Sequence, residues 1–398
     1  MADERVCRGC GAALQTTDEA KPGFVPASAM EKENILCRRC FRIRHYGEFM
    51  PVAVTEADYQ AQVARIFDQP GLVLYVIDVF DLAGSLVPNL ARFVLSSDVV
   101  VVVNKVDLLP EGVSYEGLGD WIRSRVEKTR VPVDDVLFVS AARGHGMDEL
   151  LQLVFDRVDS PVYVVGMANT GKSTLLNGIA ARADRTLAEP YTVSRQPGTT
   201  LALSELILDG PRGPVHVFDT PGLMYEARVV EKLCSDCLTT VIPRNRLRPK
   251  VYQLNPEQTL FLAGIARLDF VRGDRQPVVL YVSNELPIHR TKLSRADDIW
   301  ERHRDDLLQV PCEKCRPTFE RWRQYRLKRL RRDEKAAPGS IAVSGRGSDI
   351  VIPGLGWITL SGAAFEGVLS IPDWLHAVAR PRLIGDISRR VGQGGDVL

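Results

Sequence analysis

The sequence predicts a parallel α/β sheet with helices on both faces, flanked by a cysteine-rich N-terminal module and a C-terminal α+β block. Three observations predict it. Apolar, β-branched runs recur at Leu72–Ile77, Val99–Val103, Val136–Val139, Val162–Val165 and Val215–Phe218. Segments with helical spacing, such as 147–158 and 172–181, lie between most of them. Composition also changes on either side: residues 1–50 are rich in cysteine and arginine, and residues 226–398 mix several patterns. Each element has its reason. Runs that are continuously apolar, rather than alternating, belong to strands covered on both faces, which is the habit of parallel sheets. The central block is therefore assigned to residues 51–225. Beyond it, Val278–Val282 reads as a strand, 352–358 as a Gly-rich hairpin, and the basic run Glu320–Arg332 as a helix.

The 398 residues suggest two or three domains, and 45% hydrophobic residues supply a large core, which excludes disordered and disulfide-scaffold classes. With 51 basic against 50 acidic residues the net charge is +1, so any affinity for nucleic acid must come from local patches. The run Val99–Val103 is far too short to cross a bilayer, so no membrane partner is expected. The opening Met-Ala-Asp-Glu-Arg carries acids and no apolar stretch, so it does not read as a secretory leader, and a soluble cytoplasmic protein is expected. All eight cysteines fall in Cys-x-x-Cys pairs, which in a reducing compartment bind metal or do redox work more often than they form disulfides.

Gly166-Met-Ala-Asn169-Thr170-Gly171-Lys172-Ser173-Thr174 contains the full G-x-x-x-x-G-K-S/T pattern, preceded by a strand and opening a helix. Its glycines let the backbone wrap phosphates with inward N–H groups. Lys172 reaches the β- and γ-phosphates, and the Ser173 hydroxyl ligates Mg²⁺. A chance Gly-rich turn would have no need of that context.

A phosphate loop does not choose the base; two other stretches do. Asn104-Lys105-Val-Asp107 follows the five-valine strand. A carboxylate there accepts from guanine N1–H and N2–H₂, which adenine does not offer. Asn104 suits the N7 edge, and the stem of Lys105 can lie over the base. Ser140-Ala141 follows the next strand, and the Ala141 N–H suits guanine O6. GTP is expected, with GDP as its product. Asp219-Thr-Pro-Gly222 closes a further strand: Asp219 is a second Mg²⁺ anchor through water, and the Gly222 N–H meets the γ-phosphate. Between these phosphate motifs lie Thr199 and Thr200, either of which fits closure over Mg²⁺; Thr199 is favoured.

The order of these motifs is unusual. The base-reading stretches precede the phosphate loop, as if the usual termini were joined through 156–161 and the chain opened elsewhere. With this order, with Cys7-Arg-Gly-Cys10 and Cys37-Arg-Arg-Cys40, with 281–293 (Tyr-Val-Ser-Asn-Glu-Leu-Pro-Ile-His-Arg-Thr-Lys-Leu) and with Gly354-Leu-Gly-Trp-Ile-Thr359, the chain resembles circularly permuted GTPases of the YqeH type over nearly its whole length. The resemblance implies a permuted P-loop GTPase domain and a role in assembly of the small ribosomal subunit, with that subunit or its rRNA as partner. Leu223 stands where GTPases often carry a water-orienting Gln, so hydrolysis is expected to be slow without a stimulator. Related GTPases with an apolar residue there use a loop Asn to hold K⁺, which implies that role for Asn169; a plain loop-stabilising amide is the competing reading.

Cys7, Cys10, Cys37 and Cys40 have the spacing of a four-thiolate Zn²⁺ module, with too few apolar residues around them to fold without metal. Arg38, Arg39, Arg42, Arg44 and His45, interleaved with Phe41 and Tyr46, suit RNA there, as does the basic 320–332 segment; solvated charged faces are the plain alternative. Cys234, Cys237, Cys312 and Cys315 lie outside the resemblance and form a matched set for a second shared Zn²⁺, against reduced surface pairs or one disulfide. Two functions compete: a slow GTPase switch in subunit assembly, or an RNA-binding scaffold for which GTP is only a structural ligand.

Overall fold

A computed structural model describes residues 69–186, 204–220, 227–329 and 337–387, together with residues 5, 7, 14–19, 23–30 and 35–38 near the N-terminus. The chain gathers into two units. The first takes its described residues from 1–78, 85–105 and 123–224; the second takes them from 79–84, 106–122 and 225–398.

The first unit is built on a six-stranded sheet of β1 (Leu72–Asp78), β2 (Asp98–Asn104), β3 (Asp135–Phe138), β4 (Val162–Val165), β5 (Ser204–Gly210) and β6 (Gly213–Asp219) in the order β3-β2-β1-β4-β6-β5. All five strands read from the sequence are present and mutually parallel. The sixth, β5, runs antiparallel to β6 at the sheet edge and was not anticipated. Between strands the chain forms α1 (Ala91–Val94), α2 (Tyr115–Glu127, of which 115–122 count with the second unit), α3 (Met147–Phe155) and α4 (Lys172–Thr186). Along α3, Met147, Leu150, Leu151, Val154 and Phe155 are buried, the spacing of one helical face, while Asp148 and Glu149 in its first turn complement the helix dipole. This face packs with Leu175, Ile179 and Ala183 of α4 on Leu72, Leu74, Val76, Val100, Val102 and Val164. Every residue of β1 is buried, so the strand is apolar on both faces. Register places Asp78 opposite Asn104 and Val164 opposite Asp219. The carboxyl ends of β1, β2, β4 and β6 thus share one edge, where open α/β sheets bind ligands.

The second unit holds two sheets. One is five-stranded, in the order β17-β14-β15-β10-β7, from β7 (Lys250–Leu254), β10 (Gln276–Val282), β14 (Ser348–Ile352), β15 (Gly356–Leu360) and β17 (Val378–Arg380). The other is six-stranded, in the order β11-β8-β9-β16-β12-β13, from β8 (Gln258–Leu262), β9 (Ala266–Gly273), β11 (Ile288–Lys292), β12 (Trp322–Arg329), β13 (Ser340–Val343) and β16 (Phe365–Pro372). The expected strand at 278–282 lies in β10, and the Gly-rich stretch is the β14–β15 hairpin, whose turn needs Gly354 at φ 76°. Two stretches that carry the family resemblance meet here. Tyr281 pairs with Trp357 across β10 and β15, and their rings stack at 4.9 Å. Two short helices, α5 (Ser235–Val241) and α6 (Ala296–Arg302), are added to the strands.

The basic run at 320–332 is corrected. Its described part is strand β12, not a helix. Gln324, Arg326 and Lys328 are exposed while Leu327 between them is buried, a period of two. Both sides of the strand are taken by remote partners, β16 antiparallel and β13 parallel, and these pairings outweigh the helical propensity of Arg and Leu.

In this unit Arg228 is 2% exposed. Its Nε lies 2.8 Å from Asp81 Oδ2 and its Nη1 3.2 Å from Glu231 Oε1. Burial pushes the Glu231 carboxyl up, and Arg228 pulls it back toward ionisation. The neighbouring Val229 N–H donates to Pro353 O at 3.0 Å.

Candidate functional site

The phosphate loop links the end of β4 to the start of α4. Gly166 is pressed against β1, where a Cβ would meet Val76 O, and Gly171 has φ 92° and lies against the Asn104 amide. Both positions demand glycine, one for close approach and one for backbone sign as well. Lys172 is buried, with Nζ donating to Gly166 O at 2.8 Å and Met167 O at 3.1 Å, so its ammonium sits inside the loop it closes. Thr170 is buried and its hydroxyl donates to Met167 O at 2.9 Å. Ser173 and Thr174 open α4, where helix N–H groups favour an anion. Asn169 is exposed, at φ 65°.

Asn104, at the end of β2, ties three stretches together. Its Nδ2 donates to Thr170 O at 3.0 Å, and its Oδ1 accepts from Lys105 N at 2.8 Å and from Ala141 N at 3.1 Å. Lys105, at φ 65°, extends Nζ to Asp78 Oδ2 and to Asn169 O, each at 2.6 Å. Ser140 is buried, and its Oγ accepts from Arg143 N at 3.0 Å, which shapes the turn carrying Ala141. Asp107 is half-buried in the short turn Val106–Leu108 that follows β2. Asp219 ends β6 beside Val164.

The sequence does not single out two residues that the structure brings in. Asp78 is buried at the end of β1 and holds Lys105. Thr220 is buried and bonds Val164 O through both its N–H (3.1 Å) and its hydroxyl (2.8 Å), anchoring the strand end after Asp219. Asp78 had a signal, since an acid closing an apolar strand is out of place unless it has a partner. Thr199, Thr200, Gly222 and Leu223 lie outside the described residues.

Of the first cysteine set, Cys7 and Cys37 are buried, and the Cys37 N–H donates to Cys7 Sγ at 3.1 Å, an arrangement that fits thiolate ligands; Cys10 and Cys40 lie outside the described residues. The second set is fully described. Cys234, Cys237, Cys312 and Cys315 come together with all four Sγ within 4.8 Å of one another. A hydrogen bond from the Cys237 N–H brings the Cys234 thiol down to about 7, while burial pushes Cys315 up to about 11 and raises Cys237 too. No helix among the described residues is long and apolar enough to cross a membrane.

Known proteins resemble this chain in sequence. Residues 161–262 match the family described as 50S ribosome-binding GTPase, and residues 275–383 match YqeH-like, C-terminal. The chain is 34% identical to the YqeH protein of Bacillus subtilis (strain 168) over 380 residues, which span 95% of this chain and 99% of that one. It is 25% identical to NO-associated protein 1, chloroplastic/mitochondrial, of Arabidopsis thaliana, over 89% of this chain and 69% of that one. It is 30% identical to GTPase Der of Stenotrophomonas maltophilia (strain R551-3) over 176 residues, covering 40% of this chain and 34% of that one.

Proposed function

This chain belongs to the YqeH-type GTPase family, and from that premise we propose that it is a slow GTPase that times a step in assembly of the small (30S) ribosomal subunit, acting on rRNA or a pre-ribosomal particle. One observation carries the nucleotide part. Asn104 and Lys105 precede the phosphate loop by some sixty positions, yet both bond its backbone at Thr170 and Asn169. Base-reading and phosphate-holding residues therefore meet at one sheet edge although their order along the chain is reversed, which supports a circularly permuted GTPase domain within 51–225, between a zinc module at 1–50 and an RNA-binding block at 226–398.

In this reading Lys172 turns its ammonium from the loop carbonyls to the β- and γ-phosphates, and the N–H groups at the start of α4 hold the anion. Ser173 and Asp219 would hold Mg²⁺ with Thr199 or Thr200, and the ion would supply charge neutralisation at the phosphates. Gly222 meets the γ-phosphate through its N–H. Leu223 has no group to orient water, so a low basal rate is expected, and Asn169 would hold a cation that supplies charge stabilisation at the phosphates. Turnover is expected to be several-fold faster in KCl than in NaCl, a difference Asn169→Ala should erase; equal rates in both salts would remove the ion from Asn169.

Guanine selectivity would rest on Asp107, with Asn104 and the Ala141 N–H as the further base readers. Asp107→Asn exchanges a charged acceptor for an amide, which should weaken GTP about 10- to 100-fold, at roughly 1.5–3 kcal/mol for a charged hydrogen bond. The same variant should gain affinity for xanthosine triphosphate, whose C2 carries an oxygen. Unchanged GTP affinity would reject Asp107 as the base reader.

For RNA, the exposed row Gln324, Arg326 and Lys328 on β12 supplies a basic strand face, and Arg38 belongs to the basic run of the zinc module. Single-turnover GTP hydrolysis with and without purified small subunits tests the whole reading. Acceleration by subunits supports the timing role. Salt-sensitive subunit binding with no change in hydrolysis would favour the scaffold instead.

A further inference from the structure

The second cysteine set has no part in nucleotide binding, and its geometry is specific. Cys234 caps α5 and Cys237 lies in its first turn; Cys312 and Cys315 close a tight turn in which Cys315 N and Arg316 N both donate to Cys312 O at 2.9 Å. The two pairs are bonded across to each other. Cys234 N–H donates to Cys315 Sγ at 3.1 Å, and Cys312 N–H donates to Cys237 Sγ at 3.3 Å across 75 positions of sequence. The Cys234 and Cys312 sulfurs are 3.6 Å apart, and those of Cys312 and Cys315 are 3.8 Å apart.

These spacings choose between three states. A disulfide would bring two sulfurs to about 2.05 Å, and none is so close. Cysteines used as small apolar filler need no N–H donors aimed at sulfur. A tetrahedral ion at about 2.3 Å from each of four thiolates sets the sulfurs about 3.8 Å apart, close to both separations found here. The N–H donors would spread the thiolate charge, as outer-shell bonds do at metal centres. Cys237 and Cys315 are buried in the apolar core of this unit, and Cys234 and Cys312 pack half-exposed against it, a setting that disfavours a cluster of bare thiolates.

We propose that Cys234, Cys237, Cys312 and Cys315 form a second, structural Zn²⁺ site in the C-terminal unit. Four sulfur ligands from two turns fill a tetrahedral shell and leave no position for substrate, so the ion is a clasp. What it clasps gives it a use. Cys234 lies twelve positions after Gly222, so the chain leaving that motif is pinned at α5, while Cys315 leads through Phe319 into the basic strand β12. The assignment stands on these thiols alone and does not depend on the ribosomal reading.

Metal content of the full-length protein tests it. Two Zn²⁺ per chain are expected. Cys312→Ser/Cys315→Ser should retain one, held by the N-terminal cysteines; Cys7→Ser/Cys37→Ser should retain one, held by the second set. Thiol labelling of the unmutated protein gives an answer independent of whether variants fold. The half-exposed Cys234 and Cys312 should resist N-ethylmaleimide, as mapped by peptide mass, until a chelator strips the metal. Replacement with Co²⁺ should give the intense visible bands of a tetrahedral tetrathiolate at both sites. A single Zn²⁺ that disappears in Cys7→Ser/Cys37→Ser would overturn the site, as would labelling of Cys234 and Cys312 at one rate with and without chelator. Iron bound there in place of zinc would overturn the choice of metal.

Discussion

Lys172→Ala is expected to lower GTP affinity and turnover together by about 10²–10⁴-fold, on the basis of two charge-assisted hydrogen bonds at roughly 1.5–3 kcal/mol each. The ammonium is already confined: Lys172 is 7% exposed, and its Nζ bonds Gly166 O and Met167 O within the loop. Re-aiming it at phosphate exchanges two neutral acceptors for charged oxygens without reorganising a long flexible side chain. That is why so much affinity is expected from one residue. The alanine variant should keep the far-ultraviolet circular dichroism of the parent, since neither α4 nor β4 depends on Nζ. Titration with a fluorescent GTP analogue reads the affinity. A variant that binds within threefold of the parent would show that this loop does not hold the phosphates.

The second large effect is on stability. Arg228→Ala should destabilise the C-terminal unit by about 3–5 kcal/mol, because it takes the guanidinium away from two buried acids, Asp81 and Glu231. At about 2–4 °C per kcal/mol, its melting temperature should fall by roughly 6–20 °C. Charge, rather than packing, is the expected cause. Arg228→Leu combined with Asp81→Leu should therefore recover the part of the loss due to Asp81, while Glu231 stays without its partner, since an apolar pair can replace a buried ion pair at little cost. Scanning calorimetry of the single and double variants decides it. A single variant that melts within two degrees of the parent would mean that water reaches these groups.

How much of this was legible in the sequence depended on how far apart the deciding residues lie. The strands β1, β2 and β4 were readable because each is a local, uninterrupted apolar run, and the phosphate loop because its residues are contiguous. The edge strand β5 was missed, since Ser204–Gly210 exists by pairing with β6 and its own pattern is mixed. The basic segment was misread for the same reason. Arg, Leu and Lys satisfy a helical pattern, and only the remote β16 and β13 make it a strand. The grip of Lys105 on Asp78 spans 27 positions and leaves no local mark. The second cysteine set was legible despite its long loop because cysteines announce their chemistry by spacing alone, whereas an acid or a lysine does not.

Lys105 has one further consequence. A single ammonium grips the end of β1 through Asp78 and the phosphate loop through Asn169 O, while the adjacent Asn104 amide grips Thr170 and Ala141. The base-side loops and the phosphate-side loop are thus one preassembled cradle, and the entropy of fixing them is lost during folding rather than at nucleotide capture. A cradle set in advance greets the features that GTP and GDP share: the base, the ribose end and the first two phosphates. It has little means of telling the two apart. Discrimination must then fall to groups that respond to the third phosphate, so the protein is expected to hold both nucleotides with similar strength and to convert the difference between them into shape rather than affinity.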